Sequence, residues 1–150
     1  MKKTILVSAC LLGISCRYDG KSKPSEEVLA LSEKYNLVPV CPEIYGGLPT
    51  PRTPSERVGE RTLMRDGTDV TENYLRGAEA ALSLYRALGC QAALFKAKSP
   101  SCGVGEIYDG SFTGTLTARD GVSAELLARE GIAVFTELQI RELEKYLDKL

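Results

Sequence analysis

The sequence predicts an α/β fold, a single compact domain with a mostly parallel four-stranded sheet and helices on both faces. Three observations carry that expectation. Short β-rich runs alternate with helical patterns along the chain, and repeated strand and helix units of this length imply a parallel sheet covered on both sides. The first apolar run, Thr4 to Ala9, lacks polar alternation, so both its faces should be buried. At 150 residues, 43% of them hydrophobic, the chain is long enough for one core, and no composition break divides it. One domain over residues 1–150 is expected.

The elements follow in order. After the strand Thr4 to Ala9 and a polar loop, Ser25 with Glu26 and Glu27 starts a helix, with Val28, Leu29, Leu31 and Ser32 on one face and Tyr35 and Asn36 closing it. Leu37 to Val40 is the second strand, stopped by Pro42. The glycine- and proline-rich GGLPTPRTP makes Gly46 to Pro54 a long loop, and long loops inside compact domains tend to be functional. Asp69 with Glu72 resembles a capping box for the longest helix, where Tyr74, Ala78, Ala81, Leu82, Tyr85 and Leu88 recur at helical spacing before Gly89. Ala92 to Phe95 is the third strand. IYDGSF reads as a small hairpin turning at Asp109 and Gly110. A helix through Ala124 to Arg129, capped by Gly131, leads to the strand Ile132 to Phe135 and a closing helix, Leu138 to Leu147. There is no internal repeat.

Composition excludes several chemistries. The 19 basic and 20 acidic side chains nearly cancel, leaving no broad electrostatic footprint for a nucleic-acid polymer or a membrane surface. The chain has no histidine, which removes Ser-His-Asp and Cys-His nucleophile pairs and every zinc site that uses histidine. Acid or base work falls to carboxylates, lysines, thiols or tyrosines. The opening MKKTILVSAC has the look of a lipoprotein signal, but its apolar core of six residues is shorter than the roughly 7–15 of a signal peptide. It reads as a strand instead. With no other export or membrane signal, the five cysteines are expected in a reducing cytoplasm, where thiols more often serve metals or chemistry than disulfides.

In open α/β sheets the ligand crevice lies beyond the carboxyl ends of the strands. Cys10 follows the first strand, Cys41 the second, and Cys102 lies in the turn KAKSPSCGVG after the third. Three thiols far apart in sequence at one sheet edge suggest a shared ligand, although free cysteine is commonly just a small buried hydrophobe. Cys16 lies further along a loop, and Cys90 precedes the third strand, at the opposite end of the sheet. Five, 24, 48 and 11 residues separate successive cysteines, which is no zinc ribbon. The inference therefore rests on topology.

Two other motifs fail. A cysteine after the first strand is similar to the thiolate loops of low-molecular-weight phosphatases and arsenate reductases, in which an arginine six positions later clamps the oxyanion. Here Cys16 holds that position, Arg17 is one residue late, and CLLGISCR lacks an amide-rich anion cradle. GVG at Gly103 to Gly105 has Tyr108 where a third glycine would complete a dinucleotide fingerprint.

The strings VSACLLG followed by RYDG, VPVCPE followed by GGLPTPR, and KAKSPSCG closely resemble the DUF523 family, associated with thiouracil desulfidases. The resemblance runs through essentially the whole chain in the right order. It implies a compact Rossmann-like α/β domain and a 4Fe-4S cluster held by only three cysteines, leaving one iron open. The cysteines of SAC, CPE and SPSCG correspond to Cys10, Cys41 and Cys102, the same three that the topology selects. The family's catalytic carboxylate maps to Glu43 and its catalytic serine to Ser99. Many relatives have no cysteine at the place of Cys16, which is left out of the ligand set.

Soft thiolates suit iron and sulfide, and a cubane normally takes four. An open iron is a Lewis-acid position for the sulfur of a thiolated pyrimidine. Glu43 would then act as general base on the attacking water, with Ser99 orienting it or relaying a proton. The implied reaction is thiouracil plus water giving uracil plus hydrogen sulfide. Weaker candidates for substrate contact are Arg17, Asp19, Arg52 and Ser101; Lys96 and Lys98 alternate at a strand end, so that one would face the crevice. Two rival readings stand beside this one. The first is a non-catalytic structural metal or iron-sulfur domain using Cys16 as fourth ligand, and the second is a metal-free thiol enzyme built on Cys10.

Overall fold

The computed structural model describes all 150 residues. Its first strand, β1 (Thr4–Ser8), places Ile5, Leu6 and Val7 out of contact with water. Each such side chain is worth about 1.5–3 kcal/mol against a net domain stability of about 5–15 kcal/mol, so this short strand anchors the core. Alternate residues face opposite layers. Ile5 and Val7 pack with Val28, Leu31 and Tyr35 on one side, and Leu6 packs with Ala81, Ala124 and Leu127 on the other.

A 3₁₀ turn over Ala9–Leu12 and a loop lead to helix α1 (Glu26–Ala30), where the Ser25 side chain accepts a hydrogen bond from the Val28 N–H, the helix start expected from sequence. Strand β2 (Asn36–Val40) runs parallel to β1 at the sheet edge, where Pro39 costs no ladder bond to a further neighbour. Next come the short helix α2 (Pro42–Tyr45), the antiparallel hairpin β3 (Ser55–Val58) and β4 (Arg61–Met64), and the long helix α3 (Thr71–Ala87). Strand β5 (Ala92–Phe95) is wholly buried. The two-residue strands β6 (Ile107–Tyr108) and β7 (Leu116–Thr117) pair antiparallel, and α4 (Val122–Arg129), β8 (Val134–Thr136) and α5 (Ile140–Asp148) close the fold.

The main sheet has four parallel strands in the order β2-β1-β5-β8. Helices α1 and α5 cover one face, and α3 and α4 cover the other. The chain builds outward from β1 to β2 and then returns to lay β5 on the other side of β1. The carboxyl ends of β1 and β5 therefore flank the switch point where α/β sheets open a crevice. There the Ser8 hydroxyl accepts the Lys96 N–H at 2.9 Å, tying the two strand ends together. No helix is long and apolar enough to cross a membrane.

Several local expectations need correction. Leu29, Ser32 and Leu88 are exposed, because the helices that carry them end within a turn and pack by Val28 and Leu31 or by Tyr74, Ala78 and Ala81 instead. Asp69 is not in a capping box: its carboxylate accepts from the N–H and hydroxyl of Thr71, and the helix begins there with Val70 at the cap. Asp109 and Gly110 do not form a tight hairpin turn, since the loop runs on to Thr115 before β7 pairs back, with Asp109 bonding the Ser111 N–H. The closing strand lies at Val134–Thr136 and the last helix at Ile140–Asp148, each about two residues later than expected at its start. The hairpin β3–β4 is an addition to the expected order.

Candidate active site

Beyond the carboxyl ends of the sheet lies one cavity of about 540 Å³. Its lining includes Cys10, Cys16, Cys41 and Cys102 together with Glu43, Arg52, Ser99 and Ser101. Each thiol arrives by a different local device. Cys10 sits in the 3₁₀ turn that continues β1, and Cys41 is the residue on which α2 starts, with Pro42 fitting the first helical position.

Cys102 is held by the turn around Pro100. The Ser99 hydroxyl accepts the N–H groups of Ser101 and Cys102 at 3.2 and 3.1 Å. The first N–H groups of α4 take the carbonyls of Pro100 and Ser101. These are donors a helix start otherwise leaves unpaired, so the turn and the helix end satisfy each other.

Helix α2 also positions Glu43, and it does so through two glycines. A Cβ at Gly46 would lie 2.0 Å from the Asn73 carbonyl oxygen, and one at Gly77 would lie 1.9 Å from that of Pro42. Their absence lets α2 lie directly on α3. The Glu43 carboxylate is then clamped from two sides: Oε1 accepts from Arg52 Nε at 3.0 Å and Oε2 from the Ser101 hydroxyl at 2.9 Å. The Arg52 side chain is almost wholly buried, with its other nitrogens on the carbonyls of Cys16 and Pro49 and the Thr50 hydroxyl. It staples the GGLPTPR loop and the Cys16 loop to α2.

Ser101 Oγ is also 3.5 Å from the Cys102 sulfur and 3.0 Å from Ser99 Oγ. Its one proton goes to the carboxylate, since a short bond to an ion outweighs a long one to sulfur. That leaves Ser99, which already accepts two N–H groups, as donor to Ser101. The result is a directed hydroxyl chain, Ser99 to Ser101 to Glu43.

The thiols are coupled to one another. The Cys41 thiol is pushed well up from its ordinary value, first by its contact with the Cys16 thiol and then by burial. Contact with Cys10 raises Cys16. Burial pushes Cys102 up to about 12. All five cysteines are free. No three of the Cys, Asp and Glu side chains are grouped as they would be around one metal ion. Soft thiols spread around a common cavity fit a cluster, in which each thiolate serves a different iron.

Of the weaker candidates, Arg17, Arg52 and Ser101 line the cavity, whereas Asp19 does not and instead accepts the Lys21 N–H on the exposed loop. Lys96 and Lys98 both line it, Lys96 paired with Glu137 at 3.2 Å. Cys90 lies outside it. Cys16, which only the rival structural reading placed at the site, lines the cavity, and sequence reasoning missed Tyr18, Ser55, Glu56, Arg65 and Phe112. The signal for Ser55 and Glu56 was present in SERVGERTLM, two short β-prone runs about Gly59.

A parallel α/β domain with thiols, a clamped carboxylate and a hydroxyl chain at its switch point has the equipment of a cluster-bearing hydrolytic enzyme. The chain belongs to the 2-thiouracil desulfurase family, whose model matches residues 5–139. It is 38% identical over 149 residues to the uncharacterized protein YbbK of Bacillus subtilis (strain 168), an alignment covering 93% of this chain and 99% of that protein. Among solved structures it is similar to the [4Fe-4S]-dependent thiouracil desulfidase TudS (DUF523Vcz), with 49% identity, a TM-score of 0.94, and coverage of 99% of this chain and 100% of that one.

Proposed function

We propose that this protein is a cluster-dependent desulfidase that replaces the sulfur of a thiolated pyrimidine such as 2- or 4-thiouracil by oxygen from water, releasing uracil and hydrogen sulfide without net redox change. The observation that carries the reading is the Ser101-bonded Glu43 carboxylate lying in one cavity with the thiols of three strand ends. Cys10, Cys41 and Cys102 hold the cluster. A 4Fe-4S group bound by three thiolates supplies an iron with no protein ligand, a Lewis-acid position for the thiocarbonyl sulfur.

Glu43 takes the proton of the attacking water. Arg52 orients the carboxylate through Oε1, and the directed chain from Ser99 through Ser101 holds it through Oε2, so that the carboxylate keeps its charge and its aim as general base. The free thiols suit a reducing cytoplasm. A net charge of −1 gives no field for a nucleic-acid polymer and favours a small-molecule substrate.

The test is anaerobic reconstitution with iron and sulfide, followed by incubation with each thiouracil. Uracil and sulfide in equal amounts are expected. Uracil formed by cluster-free protein would move the chemistry to a Cys10 thiol, and no product from cluster-loaded protein would overturn the reading.

One observation favours a second reading. Cys16 lies against Cys10 and Cys41 and lines the same cavity, so a closed cluster with four thiolates is the structural alternative. In that case Cys16→Ala would remove the cluster.

A further inference from the structure

The loop between β6 and β7 holds a bulky residue in a backbone conformation that suits glycine. Phe112 has φ of 59°, between Gly110 and Gly114 at φ of 94° and 80°. For a bulky residue this is a strained outlier that persists only when its surroundings impose it. Glu56 does so from β3. Its carboxylate, on a residue only 8% exposed, accepts the N–H groups of Gly110 at 2.9 Å and Phe112 at 3.1 Å through one oxygen. The ring so placed lines the cavity with Tyr108 and Gly114, and the Arg65 guanidinium lies 5.8 Å from its centroid.

The fold thus spends a buried carboxylate and a strained residue to bring one aromatic ring to the cavity that holds Glu43 and the thiols. On the desulfidase reading, a cluster held on the thiol floor would take the substrate's sulfur, and the Glu43 wall meets water. The flat apolar face of the heterocycle still needs a partner. We propose that Phe112 is that partner, a stacking platform on which the pyrimidine ring of the substrate lies. Aromatic stacking accepts any flat base and positions it without a hydrogen bond. It fits a neutral ring whose polar edge is engaged elsewhere.

The test compares Phe112→Gly, Phe112→Leu and Phe112→Tyr in cluster-loaded protein, with two readouts: Kd for uracil, the product, by calorimetry, and KM and kcat for thiouracil. Glycine relieves the backbone strain while removing the ring, so Phe112→Gly should melt no lower than wild type. Its Kd and KM should nevertheless rise about tenfold, the order of a lost base–aromatic stack, with kcat within about threefold. Leucine keeps bulk but not the π face and should lose as much, whereas tyrosine should bind as phenylalanine does. Unchanged Kd in the Gly and Leu variants would overturn the platform while leaving the desulfidase reading intact. Wild type that neither binds uracil nor turns over thiouracil would overturn both.

Discussion

The floor and the rim of the cavity are built on different principles. The floor stands at the carboxyl ends of β1, β2 and β5, where Cys10, Cys41 and Cys102 are positioned by the parallel sheet and two helix starts. The rim comes from two antiparallel hairpins outside that sheet, with Glu56 of one holding Phe112 of the other by backbone bonds. The floor is rigid because its supports are core. At the rim the placement of Phe112 depends on one buried carboxylate, which can be altered without touching the sheet.

That contrast can be broken most severely at the floor. Replacing Cys10, Cys41 or Cys102 by alanine should abolish both cluster and turnover, seen as loss of bound iron and visible absorption, while rim variants retain a full cluster. Next in size is Glu43→Gln, which should keep the cluster and lower kcat by about 10²–10⁴-fold, the range for a lost general base; an unaffected kcat would remove Glu43 from the chemistry.

Gly77→Ala tests the support beneath Glu43. Its Cβ would press on the Pro42 carbonyl, and forcing α2 from α3 should cost about 1–3 kcal/mol by denaturant titration, with a parallel fall in kcat. At the rim, Glu56→Ala should cost about 1 kcal/mol, since the freed N–H groups regain water, yet it should raise KM nearly as much as Phe112→Gly. A stability loss with unchanged KM would separate the loop from substrate binding.

The smallest effect is on pH. Cys102 is held neutral by burial, its value pushed up to about 12, and ligation needs the thiolate. Cluster uptake should therefore release protons and quicken as pH rises from about 7 to 8.5, which stopped-flow absorption would follow.

The same contrast explains what could be read in the sequence. The floor was legible because unbroken apolar runs mark buried parallel strands, and a residue just past such a run must lie at the sheet edge. That rule alone puts Cys10, Cys41 and Cys102 at one edge. Cys16 was not legible, because its place in the cavity depends on a loop closed by Arg52 from 36 positions away. Of the rim, the β6–β7 hairpin was read in IYDGSF, although its turn was misplaced, and the rest was missed for a similar reason. Neither SERVGERTLM nor YDGSF has a strong period, and the link between Glu56 and Phe112 is a side-chain to backbone bond across two hairpins. Propensity carries no trace of such a bond. Ser101 shows the limit within a recognised motif, since the pattern pointed to Ser99 while the geometry puts Ser101 directly on the carboxylate.

Iron and sulfide counted per chain after anaerobic reconstitution distinguish a cluster held on three cysteines from one closed by a fourth. Wild type and Cys16→Ala should each hold about four of both, the content of a cubane, while Cys102→Ala holds none. A cluster lost from Cys16→Ala, or retained in full by Cys102→Ala, would rule out ligation by Cys10, Cys41 and Cys102 alone.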